Sequence, residues 1–143
     1  MTVNQLSIFL ENKPGSLSKL TKVLTDNKIN LRAISLADAP DFGIARILVD
    51  DSNKVAEILK ANDYIIKVTS VLILEIKDEF GSLNSILELL SKNDRNVEYM
   101  YGFTGHKTNT ACMIVRTTDV PKTEEILTKA NVHLISDDEL RQL

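Results

Sequence analysis

Several residue types that mark particular classes of protein are scarce or missing in this chain. It contains one cysteine, Cys112, and no tryptophan among its 143 residues. A single cysteine excludes an intramolecular disulfide and favours a reducing compartment, so we expect a cytoplasmic protein. Apolar runs such as Val71 to Leu74 are far shorter than the ~20 residues that cross a bilayer. No basic segment followed by an apolar stretch opens the sequence, and we therefore expect no secretory signal.

An excess of positive charge is also missing. The chain has 17 basic and 20 acidic residues, which gives a net charge of -3. Proteins that bind nucleic acids or anionic membranes usually carry a basic surface, so we expect neither partner. The two histidines, His106 and His133, have no acidic or cysteine neighbour at metal-ligand spacing. No Ser-His-Asp or Cys-His arrangement is evident, and we expect no metal, no cofactor and no catalytic residues.

The chain does contain an internal repeat. When the sequence is shifted by 66 residues, Gly15-Ser16-Leu17 aligns with Gly81-Ser82-Leu83, and Asn30 aligns with Asn96. At the same offset Ala45 aligns with Ala111, so the sequence predicts one register along more than forty positions. Such self-similarity indicates a duplication. We therefore predict two domains, residues 1–69 and 70–143.

Each copy has the pattern of a small α+β domain. Leu6, Ile8 and Leu10 alternate with other residues as in a strand, and Leu17, Leu20 and Leu24 then follow at helical spacing. Further strands are predicted at 29–36, 44–49 and 64–68, with a second helix that Ser52 caps. The order βαββαβ, present twice, is the ferredoxin-like motif. It predicts an antiparallel sheet with helices on one face.

The loop after the first strand resembles a known family. Asn12-Lys13-Pro14-Gly15-Ser16-Leu17 is similar to the signature loop of ACT domains, and Asn30-Leu31 resembles the second landmark of that family. The second copy matches at Gly81-Ser82-Leu83 and at Asn96-Val97, but it has Phe80 where the family often has proline. The resemblance covers the whole chain as a tandem pair of ACT-like domains.

This resemblance implies a protein that senses a free amino acid and has no catalytic activity of its own. ACT domains typically pair side by side and bind the amino acid between the first loop of one domain and the second strand of its neighbour. The start of a helix independently favours a carboxylate, because its free N–H groups and dipole attract anions. The expected ligand-binding residues are Asn12, Lys13, Pro14, Gly15, Ser16, Leu17, Asn30, Leu31, Phe80, Gly81, Ser82, Leu83, Asn96 and Val97.

Simpler interpretations remain for the same residues and for the protein. Gly15 and Gly81 can serve only as strand-to-helix turns, and Asn30 can serve only to start a strand. The alternative function is a non-catalytic subunit of a larger enzyme, with no ligand of its own. Thermal unfolding in the presence of each amino acid separates the two functions, since a bound ligand stabilises the fold.

The pattern of apolar residues predicts a homodimer. The alternation places six large apolar residues on the sheet face away from the helices, and a face exposed to water should be polar. Stacking two such sheets would bury these residues. The six residues are Phe9, Ile44, Leu48, Val71, Ile73 and Ile114.

Overall fold

The computed structural model describes residues 1–104 and 107–143, which group into two compact units. The first unit comprises residues 4–69, and the second comprises residues 70–143 together with residues 1–3. The chain passes from the first unit to the second between Thr69 and Ser70. Residues 1–3 are an exception, because they group with the second unit, where the amino terminus of Met1 forms an ion pair with Glu124. His106 lies outside the described residues.

The first unit has the element order that the sequence predicts. Its strand β3 pairs antiparallel with both β1 and β2, which leaves β2 at the end of the ladder. The α+β class is confirmed. The elements are β1 (Val3–Glu11), α1 (Ser16–Asp26), β2 (Leu31–Asp38), β3 (Phe42–Val49), α2 (Ser52–Ala61) and the beginning of β4 (Ile65–Lys77).

One face of the first ladder packs against α1 and α2. Leu6 and Ile8 of β1 are fully buried, and they belong to one cluster with Leu20, Leu24 and Leu59 of the two helices. Because strand side chains alternate between faces, every second residue of β1 enters this core. The helices therefore form where apolar residues recur at intervals of three and four.

The second unit repeats this arrangement. Strand β6 pairs antiparallel with β4 and with β5, and the short β7 pairs with the other side of β4. Leu72, Leu74 and Val115 form a core with Leu90 and Leu127 of the covering helices. The elements are the rest of β4, α3 (Ser82–Lys92), β5 (Val97–Thr104), β6 (Thr110–Thr117), α4 (Val120–Lys129), β7 (His133–Leu134) and α5 (Asp137–Gln142).

The predicted single register of the repeat is wrong beyond the second strand of each copy. β2 and β5 lie 66 residues apart, but α2 and α4 lie 68 apart. Strand pairing shows the same shift of two residues. Leu6 pairs with Ile47, and the equivalent Leu72 pairs with Val115, which lies 68 residues after Ile47. The connection from β5 to β6 is two residues longer than that from β2 to β3. A shift of two residues preserves the alternation of side chains between faces, which is why the apolar pattern conceals it.

Two local expectations also differ from the structure. The side chain of Asp51, rather than Ser52, caps α2 by accepting a hydrogen bond from the N–H of Lys54 at 3.0 Å. The fourth strand of the first copy and the first strand of the second copy are one continuous strand, β4, across Thr69 and Ser70. Neither residue breaks a strand, since both have polar but β-compatible side chains.

The chain ends in a short helix on the other face of the second ladder. Leu74 of β4 belongs to the core under α3 and α4, so its neighbour Glu75 points to the opposite face. Glu139, in α5, lines a cavity together with Glu75. Leu140 of α5 is buried, and Ile135 just before it donates its N–H to the carbonyl of Ile73 at 2.8 Å.

The expectation of a broad exposed apolar face is wrong. Leu48, Val71, Ile73 and Ile114 are all fully buried within this single chain. Of the six residues expected on that face, only Phe9 is exposed, at 40%, and Ile44 is half-buried. The tail beyond Leu134 explains part of this difference, because Ile135 and Leu140 are themselves buried and Ile135 bonds to Ile73.

Candidate functional site

The loop after β1 turns sharply into α1 at a glycine. Gly15 occupies the position before the helix with φ +87° and ψ -14°, in the left-handed region. Gly81 has φ +84° at the equivalent position before α3. Most residues with a Cβ are strained in that region, so the conformation of the turn itself favours glycine at both positions. The carbonyl of Gly15 also accepts from the N–H of Lys19 at 2.9 Å, which begins the helix.

The start of α1 lacks the side-chain cap and the acidic residues that often neutralise the first turn of a helix. No side chain caps the helix, and its first turn contains no acidic residue. The N–H groups of a first helical turn have no acceptor within the helix, and the helix dipole places positive charge there. The N–H of Ser16 already donates to the carbonyl of Lys13 at 3.3 Å, so a ligand carboxylate can bind at the N–H of Leu17, where the space beside Gly15 is open.

A small cavity lies beside this helix start within the first unit. Its volume is about 80 Å³. The predicted residues Asn12, Lys13, Ser16 and Leu17 line it. The remaining lining residues are Leu10, Glu11, Leu36, Ala37, Asp38 and Gly43.

The cavity combines groups that suit both ends of a zwitterion. Lys13 and the helix start offer positive charge, while Glu11 and Asp38 offer carboxylates. Lys13 Nζ lies 2.6 Å from a carboxylate oxygen of Glu11, and this hydrogen bond lowers the pKa of Glu11. Asn12 donates its side-chain amide to the carbonyl of Ala39 at 3.3 Å. The loop is thereby tied to the connection between β2 and β3.

Other predicted residues of the first copy do not reach the cavity. Pro14 and Gly15 belong to the turn but are not among its lining residues. Asn30 is exposed just before β2, whereas the cavity contacts the far end of that strand at Ala37 and Asp38. Leu31 packs against the core of the first unit. Within one unit, the cavity at the first loop and the Asn30-Leu31 pair therefore lie at opposite ends of β2.

The second loop differs from the first. Phe80 is fully exposed, and Leu83 in the first turn of α3 is also exposed. Gly81 and Ser82 make the same turn, in which Ser85 Oγ donates to the carbonyl of Gly81 at 2.9 Å. The N–H of Asn96 donates to Thr118 Oγ1 at 3.3 Å. The two copies therefore have the same turn geometry, but in the second copy Phe80 of the turn faces solvent.

Val97, at the start of β5, packs against the core of the second unit. It occupies the place that Leu31 occupies in the first copy, so both residues begin a strand and fill a core. For these two positions the structure supplies a packing role. Asn96 and Asn30, which precede them, are both exposed.

Sequence reasoning did not include six of the residues that line the cavity, one of which is Glu11 at the end of β1. Leu36, Ala37, Asp38 and Gly43 come from the β2–β3 hairpin, and Leu10 comes from the end of β1. Their signal in the sequence is weak, because a hairpin loop contacts the preceding loop only after the strands pair. Pro40 indicates a turn in the sequence, but it does not indicate which residues will lie next to that turn in the fold.

Among residues 1–104 and 107–143, no group of three histidine, cysteine or acidic side chains is arranged to hold a metal ion. No helix in that described part of the chain is long and apolar enough to cross a membrane. The thiol of Cys112 is buried, and this burial raises its pKa, so it is a poor nucleophile.

Comparisons with known proteins place these features in context. A family model described as an ACT domain pair matches residues 1–143. A comparison with curated proteins gives no match. The crystal structure of protein BT0572 from Bacteroides thetaiotaomicron is similar to this chain with 37% sequence identity and a TM-score of 0.93, over 100% of this chain and 98% of that one.

Two more distant structures share the fold. One is the regulatory subunit of aspartate kinase from Thermus thermophilus, in a ligand-free form, with 12% identity and a TM-score of 0.62 over 89% of this chain and 91% of that one. The other is the regulatory subunit of aspartate kinase from Thermus flavus, with 13% identity and a TM-score of 0.63 over 87% and 88% of the two chains.

Proposed function

Because the chain belongs to the family of ACT domain pairs, we propose that it is a cytoplasmic regulatory protein that binds a free amino acid beside its first loop. The observation that carries this proposal is the cavity at the start of α1, which joins an uncapped helix to the side chains of Asn12, Lys13 and Asp38. The protein would report the amino acid through a change in association, without a chemical step of its own.

The groups that line the cavity support one orientation of the ligand. The carboxylate of the amino acid is expected at the N–H of Leu17, in the first turn of α1, where the helix dipole favours an anion. Its ammonium group faces Asp38, at the end of β2. Leu10, Leu17 and Leu36 supply apolar walls, which favours an aliphatic side chain.

The cavity needs another wall to enclose an amino acid. Its volume of about 80 Å³ is well below the roughly 300 Å³ at which ligand pockets usually begin. We propose that a second copy of the chain supplies this wall through an end strand. β2 and β5 are the end strands of their ladders and offer unpaired backbone groups. An antiparallel partner on β2 brings the start of its own strand beside Ala37 and Asp38.

This pairing would give the exposed asparagines a role in the site. When β5 of a second copy pairs with β2, its preceding Asn96 lies near the cavity of the first loop. Asn30 would lie in the same way near Gly81, Ser82 and Leu83 of the second loop. An asparagine side chain has both donors and an acceptor, and it can bind either end of a zwitterion.

Binding is tested by thermal unfolding with each of the twenty amino acids, followed by calorimetry for any that stabilise the protein. We expect one or two aliphatic amino acids to raise the melting temperature, since a ligand at a hundred times its Kd adds about 2.7 kcal/mol. Asp38→Asn should weaken this binding at least tenfold, because it removes the charge facing the ammonium. Asp63→Asn, in the turn after α2, is the control and should bind normally.

The outcome is decisive in both directions. If no amino acid changes the melting temperature of the wild type, the sensing function is wrong. If binding occurs but Asp38→Asn and Asp63→Asn bind equally well, the ligand is bound elsewhere. Binding by the wild type and the control alone supports the proposed site.

The second candidate function is a non-catalytic subunit of a larger enzyme. The observation that favours it is Phe80, a fully exposed aromatic side chain at the second loop. Burial of such a side chain against a partner is favourable, and aromatic residues are enriched at interfaces. Two distant structures of this fold are regulatory subunits of aspartate kinase. Phe80→Ser should then reduce association with a partner enzyme and leave amino-acid binding at the first loop unchanged.

A further inference from the structure

The second unit contains a separate cavity on the sheet face away from α3 and α4. Its volume is about 190 Å³, larger than that of the cavity at the first loop. It lies between β4, β7 and the C-terminal segment. Its lining residues are Glu75, Lys107, His133, Ile135, Glu139, Gln142 and Leu143.

Two carboxylates dominate the polar part of this cavity. The side chain of Glu75 is only 12% exposed, whereas its ion-pair partner Lys107 is 63% exposed. Glu139 forms the other pair, with His133 Nε2 at 2.9 Å. Glu75 and His133 are directly opposite each other on neighbouring strands, so their side chains share this face. The carboxylates of Glu75 and Glu139 therefore share the cavity with the ammonium group of Lys107 and the imidazole of His133.

Lys107 indicates which chemistry the cavity favours. Its ammonium group lies 3.0 Å from Glu75 Oε1. Its pKa is raised by the hydrogen bond to Glu75 and, to a smaller extent, by the charge of Glu139. The cavity therefore already attracts a primary ammonium, supplied by a long and mostly exposed side chain that loses entropy when it is held in place.

The other walls suit an aliphatic chain. Ile135, which is almost fully buried, and Leu143 both line the cavity. A ligand with an ammonium group and a short hydrocarbon tail would meet a carboxylate and an apolar wall together. A buried charge without a partner is unfavourable. The largely buried carboxylate of Glu75 therefore requires a cation beside it, which can be either Lys107 or the ammonium group of a ligand.

We propose that this cavity binds a small aliphatic primary amine, whose ammonium group replaces that of Lys107 at Glu75. Lys107 acts as an internal competitor, so the free protein holds the site in a paired state. This site lies in the second unit and does not rest on the proposed amino-acid site of the first unit. Its success or failure is therefore independent of that function.

The test uses two probes of equal chain length and opposite charge, n-butylammonium and butyrate, in an NMR titration of the full chain. At constant ionic strength, we expect butylammonium to cause saturable amide shifts at Ile135 and Gln142. Butyrate should cause none there. Localised shifts also separate this site from the cavity in residues 4–69, where the amino-acid ligand is expected.

Three variants sharpen the result. Lys107→Met removes the internal competitor and should lower the Kd for butylammonium several-fold. Glu75→Gln removes the charge that receives the ammonium and should raise the Kd at least tenfold. Glu57→Gln makes the same substitution at an exposed glutamate of α2 and should leave the Kd unchanged. If Glu75→Gln fails to fold, Glu139→Gln replaces it and should also raise the Kd.

Two results would overturn the proposal. The first is a wild type and a Lys107→Met variant that both show no saturable shift with butylammonium. The second is preferential binding of butyrate that Lys107→Met abolishes, which would make Lys107 the receptor of an anion. Binding of butylammonium that Lys107→Met strengthens and Glu75→Gln weakens supports it.

Discussion

At the scale of single residues, the glycines before α1 and α3 have a structural requirement that precedes any role in binding. Both have φ near +85°, and an added Cβ would meet no atom within 4 Å at either position. The constraint is therefore backbone conformation and not lack of space. A β-branched residue is the least compatible with the left-handed region, whereas asparagine tolerates it.

This distinction predicts the effects of two substitutions at Gly15. Gly15→Val should lower the free energy of unfolding by about 1–2 kcal/mol, because valine must adopt a left-handed conformation. Gly15→Asn should lower it by clearly less. Urea denaturation measures both, and the same pair at Gly81 provides an internal repeat. Equal effects of valine and asparagine would contradict the backbone explanation.

The hydroxyl of Tyr64 is a second residue-scale feature. It is buried without a hydrogen-bond partner among the described residues. Burial raises the pKa of this phenol, because the charged form is the more poorly solvated one. A buried polar group without a partner is unfavourable by about 1–3 kcal/mol.

Tyr64→Phe should therefore be neutral or raise the free energy of unfolding by about 1 kcal/mol near pH 7. Because the folded pKa is raised, the folded state holds the phenolic proton more tightly than the unfolded state. The wild type should lose stability relative to Tyr64→Phe as the pH rises above about 10, the pKa of an unfolded tyrosine. Denaturation at pH 7 and pH 10.5 measures both effects. A Phe variant less stable at pH 7 would indicate a partner for the hydroxyl.

At the scale of elements, α5 is short and depends on its cap. Ser136 Oγ accepts from the N–H of Glu139 at 3.2 Å, and the Glu139 carboxylate accepts from the N–H of Ser136 at 2.9 Å. This hydrogen bond from the Ser136 backbone lowers the pKa of Glu139, with a smaller contribution from His133. Only Leu140 of the helix is buried, so a helix of six residues has little else to stabilise it.

Ser136→Ala should therefore loosen α5 by about 1 kcal/mol. The amide of Leu140, which donates to the carbonyl of Ser136 at 2.9 Å, should exchange with solvent several-fold faster. Because the folded pKa of Glu139 is lowered, its contribution is present above the unfolded pKa of about 4.3 and is lost as the pH falls through the folded value. Hydrogen exchange at pH 7 and below pH 4 checks this. Unchanged exchange at Leu140 would mean that packing alone holds α5.

The order of elements in each copy could be predicted because it depends on local patterns. Alternation identified β1, and leucines at helical spacing identified α1. The change of register between the copies could not be predicted, because a two-residue insertion leaves the alternation intact. The continuity of β4 was also missed, since nothing in Thr69 or Ser70 distinguishes a strand from a short connection.

At the scale of the whole molecule, the candidate site was predictable only in part. Asn12, Lys13, Ser16 and Leu17 were found because the loop and helix start are adjacent in sequence. The hairpin residues that complete the cavity begin at Leu36, 19 positions after Leu17, and only strand pairing brings them there. The apolar face failed as a prediction because alternation identifies which residues share a face but not what the rest of the chain places over it.

The homodimer stays a prediction, with its interface now expected at the end strand β2. Ile34 on this strand is 42% exposed. Val68 on β4 is 44% exposed, so a substitution there is a control at an apolar residue of similar exposure. Light scattering should give twice the chain mass of 16.0 kDa for the wild type. Ile34→Lys places a charge beside the unpaired edge and should give a monomer, because charged residues there oppose edge pairing. Val68→Lys should remain a dimer. A wild type of 16.0 kDa at micromolar concentration would contradict the dimer, and the cavity at the first loop would then need its missing wall from a different protein.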